Sequence, residues 1–299
     1  MRSSSFKLAA ARSSPLARYS VNKQPLPPVP NPSTAHSPLG VFDSGVGGLT
    51  VVRALRELLP HESIIYLGDT ARVPYGSKSP ETIRRFALED TQFLINQGVK
   101  AVVVACNTAT AHALDTLRAT FRVPIFGVLE AGIAATLAAP HCQRVGIIGT
   151  EGTIKSHAYQ HHLALRRPDL QIHAQATPLL VPFVEQGWLD HPALKLVLQE
   201  YLTPMLQRHI DTLLLGCTHY PLLVPVLQEL VGDKVRLIDS ASTCASHVRD
   251  ELAAHHLLAP DSDTPPTLHI HLTDLSQQAE DQARQFLGLD LDAIHHASL

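Results

Sequence analysis

The chain has 299 residues, 45% of them apolar, which is enough to fill the cores of two α/β domains of ordinary size. A formal net charge of -3 at pH 7 gives no electrostatic reason for a nucleic acid or an anionic membrane as the main partner, and no apolar run approaches the roughly 18 residues that span a bilayer. The 4 cysteines are too few and too widely spaced for a disulfide scaffold, so reduced thiols in a cytoplasm are expected.

Residues 1–38 differ in composition from the rest of the chain. They carry basic residues but no acidic ones, many serines, and a proline-rich stretch at 25–32. Such a segment buries too little apolar surface to order itself, so it is predicted to be a disordered tail. Its composition also fits a mitochondrial transit peptide, and the residues leave that alternative open.

From residue 39 the chain alternates between strand, turn and helix, the order that predicts a parallel α/β sheet. An apolar strand at 39–42 leads into a glycine-rich turn at 43–48 and a helix at 49–59. Further strands are predicted at 63–67, 101–105, 123–128, 144–148, 212–215 and 235–238. The strand count divides the chain into a first domain at 39–129 plus 240–299 and a second at 130–239.

The turn at 43–48 reads DSGVGG and is nearly a dinucleotide-binding fingerprint. It lacks the third glycine, because position 50 is Thr50. A plain βα turn and a carboxylate-binding turn both remain open; in the second, backbone N–H groups at the helix start and the hydroxyl of Ser44 are the donors. Asp43 ends the strand, where a carboxylate would lie in the crevice and orient a thiol or an ammonium group.

Two of the predicted strands end in a cysteine that polar side chains follow. They read VVVACNT at 102–108 and LLLGCTH at 213–219. Ligands of open α/β sheets bind beyond the carboxyl ends of the strands, so Cys106 and Cys217 can lie on opposite faces of one substrate. A single buried cysteine is more often core packing. Packing does not require the polar neighbours of these two, which are Asn107, Thr108, Thr218 and His219.

Five segments carry a family resemblance: VFDSGVGG at 41–48, YLGD at 66–69, VPYGSKS at 73–79, VACNTA at 104–109 and LGCTHYP at 215–221. In this order they resemble the motifs of the glutamate racemases, in the aspartate/glutamate racemase superfamily. The resemblance runs from about residue 39 to about residue 288. The chain departs from the family at Ala131, where members often have proline.

The resemblance implies an α/β fold of two similar parallel-sheet domains with the active site in the cleft between them. It implies a cofactor-independent racemase that interconverts L- and D-glutamate, with Cys106 and Cys217 as its two bases. Asp43 would assist Cys106, while Glu185 and His219 would assist Cys217. The substrate-contact roles fall on Ser44, Pro74, Tyr75, Gly76, Asn107, Thr108, Thr150 and Thr218.

Some of these residues have simpler interpretations when taken alone. Glu185 fits a solvated helix residue, and Thr150 fits a helix N-cap. The other two cysteines, Cys142 and Cys244, are interpreted as structural. None of the 18 histidines has the HExxH spacing of a zinc enzyme, and no metal site is predicted.

The family further implies D-glutamate supply for peptidoglycan, and hence for the cell wall and cell shape, in a bacterial cytoplasm, by a homodimer. Three other functions remain open. An aspartate racemase would use the same chemistry, a thiol redox switch would join Cys106 to Cys217, and a binding or inhibitory protein would keep the fold without catalysis. A switch needs no carboxylate-binding turn, and the presence of both cysteines with three assisting residues favours activity.

Overall fold

The structure is a computed structural model that describes residues 34–288 and 293–299. Its strands are β1 (Leu39–Asp43), β2 (Ile64–Gly68), β3 (Ala101–Val104), β4 (Ile125–Gly127), β5 (Arg144–Gly149), β6 (Gln171–Ala176), β7 (Thr212–Gly216), β8 (Arg236–Asp239), β9 (Leu268–Leu272) and β10 (Ile294–His296). Its α-helices are α1 (Leu49–Leu58), α2 (Pro80–Asn96), α3 (Asn107–Thr120), α4 (Val128–Ala138), α5 (Glu151–Lys155), α6 (Ala158–Arg166), α7 (Leu180–Glu185), α8 (Pro192–Leu206), α9 (Val224–Val231), α10 (Ser240–Ala254) and α11 (Gln277–Leu287).

These strands form two sheets in which every pairing is parallel. The first has six strands in the order β10-β9-β2-β1-β3-β4, and the second has four in the order β6-β5-β7-β8. The predicted fold class of two parallel-sheet α/β units is therefore confirmed. The proposed boundaries after residues 129 and 239 fall between strands of different sheets, and the division into two domains at those positions stays a prediction.

The strand order places a crevice in each sheet. In the first sheet the chain goes from β1 to β2 on one side and then returns to β3 on the other. In the second it goes from β5 to β6 and then returns to β7. Loops leave such neighbouring strands in opposite directions, and the gap between them is where open α/β sheets hold ligands. The two cysteine segments follow β3 and β7, so each stands at the crevice of its own sheet.

The predicted strands were those with continuous apolar runs. Every residue of β1, β2, β3 and β7 is buried, because helices cover both faces of a parallel sheet. Strands β6, β9 and β10 were not predicted. These strands alternate apolar with polar residues or histidines and are partly exposed. The strand predicted at 123–128 was too long, since α4 begins at Val128.

The predicted tail lies outside the described residues at positions 1–33. Positions 34–38 contact the first sheet, where Lys100 Nζ donates a hydrogen bond to the carbonyl of Ala35 at 2.7 Å. The same ammonium group lies 2.5 Å from Glu62 Oε2, and both side chains are buried. Among the helices described, none is long and apolar enough to cross a membrane.

Candidate active site

A cavity of about 380 Å³ lies where the carboxyl ends of β1 and β3 meet those of β5 and β7. All the predicted site residues line it except Asp43, namely Ser44, Pro74, Tyr75, Gly76, Cys106, Asn107, Thr108, Thr150, Glu185, Cys217, Thr218 and His219. The structure thus brings together segments from both sheets. Within the described residues, no group of three His, Cys, Asp or Glu side chains is arranged to hold a metal ion.

Cys106 is the N-cap residue of α3. The backbone N–H of Ala109 donates to its Sγ at 3.4 Å, and its thiol donates to Ser44 Oγ at 3.6 Å. Burial raises the pKa of the thiol to about 12, and the charge of Asp43 adds to this increase. The two hydrogen bonds act in the opposite direction but are weaker. The resting site therefore holds Cys106 as a protonated thiol, which is a proton donor.

Cys217 has a different environment. Its Sγ lies 3.8 Å from His219 Nδ1, and His219 Nε2 lies 3.0 Å from Glu185 Oε1. Burial opposes the charged form of His219, but the hydrogen bonds to Cys217 and Glu185 outweigh it and raise the pKa of the imidazole to about 10. At neutral pH His219 is therefore an imidazolium that donates to a carboxylate on one side and faces a sulfur on the other.

Helix α11 supports this second group from outside the cavity. The ring of Phe286 meets the ring of His219 edge-on, with centroids 5.0 Å apart. Gln282 Nε2 donates to the backbone carbonyl of Glu185 at 3.0 Å. Sequence analysis did not find these contacts, because no local pattern links α11 to residues so distant in the chain.

Asp43 lies behind the cavity wall and is fully buried. Its Oδ2 accepts the backbone N–H of Gly48 at 2.8 Å, while its Oδ1 has no hydrogen-bond partner among the described residues. Burial raises its pKa, against the positive charge of His219 and the N–H of Gly48. The predicted role of assisting Cys106 stays a prediction; the group of this turn that hydrogen-bonds to the thiol is Ser44.

Polar side chains from both sheets meet on one wall of the cavity. Thr108 Oγ1 and Thr150 Oγ1 are 2.9 Å apart, and Thr150 also caps α5 by accepting from the N–H of Thr153. Asn107 is buried beside them, and its Nδ2 has no hydrogen-bond partner in the described part of the chain. Two hydroxyls and a free amide donor form a surface suited to a carboxylate.

The turn at 74–76 is anchored by hydrogen bonds on the side away from the cavity. The hydroxyl of Tyr75 hydrogen-bonds to Asp69 and lies 2.9 Å from Asp90 Oδ2, so it points away from the cavity. Burial, together with the charge of Asp69, raises the pKa of Asp90 well above its ordinary range. A Cβ on Gly76 would lie 2.8 Å from Thr150 Cβ, so only glycine fits this approach of the turn to the second sheet.

One apolar wall of the cavity was not predicted. It consists of residues that follow β6 and begin α7, namely Pro178, Val181 and Pro182, and Val73 joins it from the other side. Because β6 was not predicted, these residues could not be recognised as the segment that follows the carboxyl end of a strand. An apolar wall facing a polar one suits a substrate with a short carbon chain and charged ends.

The comparisons with known proteins agree with this geometry. The model of the Asp/Glu/Hydantoin racemase family matches residues 49–248. A glutamate racemase of Syntrophus aciditrophicus is 47% identical over 262 residues, covering 88% of this chain and 97% of that protein. The structure of glutamate racemase from Francisella tularensis in complex with D-glutamate has a TM-score of 0.82 at 35% identity, covering 88% of this chain and 98% of that chain. That from Thermus thermophilus in complex with beta-chloro-D-alanine has a TM-score of 0.80 at 43% identity, covering 89% and 98%. The resemblance is confirmed, and the chain belongs to the glutamate racemases of the Asp/Glu/Hydantoin racemase family.

Proposed function

We propose that this chain interconverts L- and D-glutamate by two-base proton transfer, with Cys106 and Cys217 as the bases and without a cofactor. The observation that carries the proposal is that thiols from two different sheets line one cavity with unlike partners. A racemase with two bases needs one group ready to accept a proton and one ready to give it. The different surroundings of the two sulfurs match that requirement.

The proton balance of one turnover follows from these partners. The Cys217 thiolate, paired with the His219 imidazolium, removes the Cα proton from one face of glutamate. The Cys106 thiol gives its proton to the opposite face, so that Cys217 ends as a thiol and Cys106 as a thiolate. The opposite enantiomer reacts with that second form, in which the Cys106 thiolate removes the Cα proton and the Cys217 thiol supplies the new one, so the steps reverse. A site that excludes water makes the thiolate more basic. It also strengthens the interaction between the hydrogen-bond donors and the charge that develops on the substrate in the transition state.

The polar and apolar walls of the cavity fit different parts of glutamate. A carboxylate would accept hydrogen bonds from Asn107 Nδ2 and from the hydroxyls of Thr108 and Thr150. The methylene groups would pack on the wall that contains Val181 and Pro182. These contacts would place Cα between the two cysteines, as proton transfer on both faces requires.

The test is circular dichroism of the purified protein with L-glutamate and, separately, with D-glutamate in heavy water, without added cofactor. Both signals are expected to decay to zero while deuterium enters at Cα. Persistent signals without exchange, in protein shown to be folded and reduced, would contradict the proposal. The same assay with L- and D-aspartate separates an aspartate racemase from a binding protein or a thiol switch, neither of which racemises either substrate.

The pH profile of kcat/KM tests the role of His219. Glu185→Gln removes a carboxylate that raises the pKa of His219 toward about 10. The imidazolium present below that pKa is lost as the pH rises through it, so the alkaline limb is expected to move to lower pH in the variant. The amino group of free glutamate titrates alike in both measurements, so only the difference between the two profiles counts.

The matched control is Glu151→Gln. Glu151 also lines the cavity, but its carboxylate pairs with Lys155 at 2.6 Å instead of with a histidine. The alkaline limb of the kcat/KM profile of Glu151→Gln is expected to coincide with that of the wild type. Coinciding limbs for wild type and Glu185→Gln would show that the carboxylate does not sustain the imidazolium.

In the cell, the D-glutamate would supply peptidoglycan in a bacterial cytoplasm, and the enzyme would act as a homodimer. This proposal is supported by family membership. Expression in a bacterium that requires external D-glutamate should remove the requirement, and light scattering should give twice the mass of the chain. Growth that still depends on added D-glutamate, or a monomer in solution, would contradict the corresponding part.

A further inference from the structure

Tyr159 in α6 is a buried residue that contacts the cavity wall without lining it. Its ring is 1% exposed and lies between two glycines. A Cβ on Gly132 would come within 3.3 Å of the ring and the hydroxyl, and a Cβ on Gly216 would come within 3.2 Å of the ring. The slot therefore fits an aromatic ring closely and leaves it little freedom to move.

The hydroxyl of Tyr159 reaches the other sheet. It donates to Asn107 Oδ1 at 2.6 Å. Burial raises the pKa of this phenol above its ordinary range, and charge at Cys244 and at Cys217 adds to the increase, so the hydroxyl keeps its proton and remains a donor. The two residues are 52 positions apart in the chain, and their contact is therefore purely tertiary.

This hydrogen bond occupies the oxygen end of the Asn107 amide. With Oδ1 occupied by the phenol, Nδ2 is left buried without a partner in the described part of the chain, and Asn107 lines the cavity. A buried amide N–H without a hydrogen bond is unfavourable, because the group has lost its water and gained no partner. An acceptor on the substrate would relieve that cost, whereas a flipped amide would present an oxygen to a carboxylate and repel it.

Tyr159 also joins the two strand ends that carry the thiols. Its hydroxyl contacts the residue after Cys106, and its ring contacts Gly216, the residue before Cys217. A single buried side chain thus lies against the segments that follow β3 and end β7, next to both cysteines in the sequence.

We propose that Tyr159 is a positioning residue, whose hydroxyl holds Asn107 with its amide NH₂ toward the substrate carboxylate. The inference rests on the proposed function and adds a residue to it. It predicts that the effect of the phenol on glutamate is transmitted through Asn107 and through no other contact.

A double-mutant cycle tests this path. Tyr159→Phe keeps the ring and removes only the hydroxyl, and is expected to raise the KM for both enantiomers about fivefold to tenfold with a smaller change in kcat, as for the loss of one oriented hydrogen bond. Asn107→Ala should raise KM at least as much. The double variant should match Asn107→Ala, because the phenol then has nothing to orient. An unchanged KM in Tyr159→Phe, or multiplying effects in the double variant, would overturn the proposal.

Two further variants separate positioning from stability. Thr136→Val removes another buried hydroxyl, which donates to the carbonyl of Gly132 at 2.7 Å, and should lower Tm without changing KM. Asn107→Asp keeps an oxygen acceptor for Tyr159 and replaces the amide donors with a carboxylate oxygen, which repels the substrate carboxylate. It is expected to fold and to raise KM more than tenfold, and it tests whether the amide NH₂ of Asn107 contacts the substrate, which the proposal requires, even if Tyr159→Phe does not fold. An Asn107→Asp variant with the KM of the wild type would overturn the proposal.

The rise of Tm on adding D-glutamate measures binding independently of the kinetic constants. D-glutamate should raise the Tm of the wild type, and should raise that of Tyr159→Phe and Asn107→Ala less at equal concentration. If the wild type neither binds nor racemises glutamate, the proposed function fails and this inference fails with it. If the wild type is active but the cycle shows no coupling, the inference on Tyr159 fails alone.

Discussion

Replacing either Cys106 or Cys217 with serine is expected to lower the kcat for glutamate racemisation by about 10³-fold, within the range attributed to a positioned acid or base. A serine hydroxyl ionises far less readily than a thiol, so it can neither remove the Cα proton nor return it at a useful rate. Both cysteines are buried, at 6% and 5% exposure, so water cannot easily take the place of their thiols. The measurement is kcat for each enantiomer by circular dichroism.

The two variants should differ in hydrogen exchange. In Cys106→Ser, Cys217 keeps His219 as its partner, so one enantiomer of glutamate should still exchange its Cα proton in heavy water without racemising. In Cys217→Ser the remaining thiol stays buried beside Asp43, which keeps its pKa raised, so it is a poor base at neutral pH. Exchange should therefore be slower for Cys217→Ser, and equal residual exchange would contradict the unlike roles proposed for the two sulfurs.

The chain supplies its own control in Cys142. This residue is as buried as the two proposed bases but does not line the cavity. Cys142→Ser is expected to keep the kcat of the wild type. Near-normal turnover in a folded Cys106→Ser or Cys217→Ser variant would falsify the two-base assignment.

The second large effect is expected at Gly47. A Cβ at this position would lie 2.5 Å from Thr218 Oγ1 and equally close to the ring of His219, nearer than side chains approach in folded proteins. Gly47→Ala must therefore displace His219 from Cys217 and from Glu185. A displacement on the order of 1 Å at a catalytic group can lower the rate about 10²-fold, and that loss is expected in kcat.

Gly40→Ala is the matched control. Neither Gly40 nor Gly47 has a positive φ, so alanine strains the backbone at neither position. At Gly40 the new Cβ would lie 3.1–3.2 Å from the side chains of Val99 and Leu94, which are buried and do not line the cavity. Gly40→Ala should lower Tm and leave kcat unchanged. A Gly47→Ala variant with wild-type kcat would show that His219 need not occupy this position.

The sequence alone was sufficient for the central strands and for their carboxyl ends. β1, β3 and β7 are buried on both faces, and the sequence of such a strand is a continuous apolar run. The polar residues that end these runs mark the crevice, which is why Ser44, Asn107 and Thr218 could be singled out before the structure was known. The partly exposed β6, β9 and β10 have no such run and were missed.

The difference between the two thiols arises in the tertiary structure and is absent from the sequence pattern. In the sequence, Cys106 and Cys217 stand in nearly identical contexts. In the fold, Cys106 caps a helix, whereas Cys217 lies beside His219, whose second nitrogen contacts Glu185 34 positions away. A sequence pattern reports neighbours along one strand or one helix. The partners that set the protonation of each sulfur come from other elements, and the packing of two sheets around one cavity determines which of them meet.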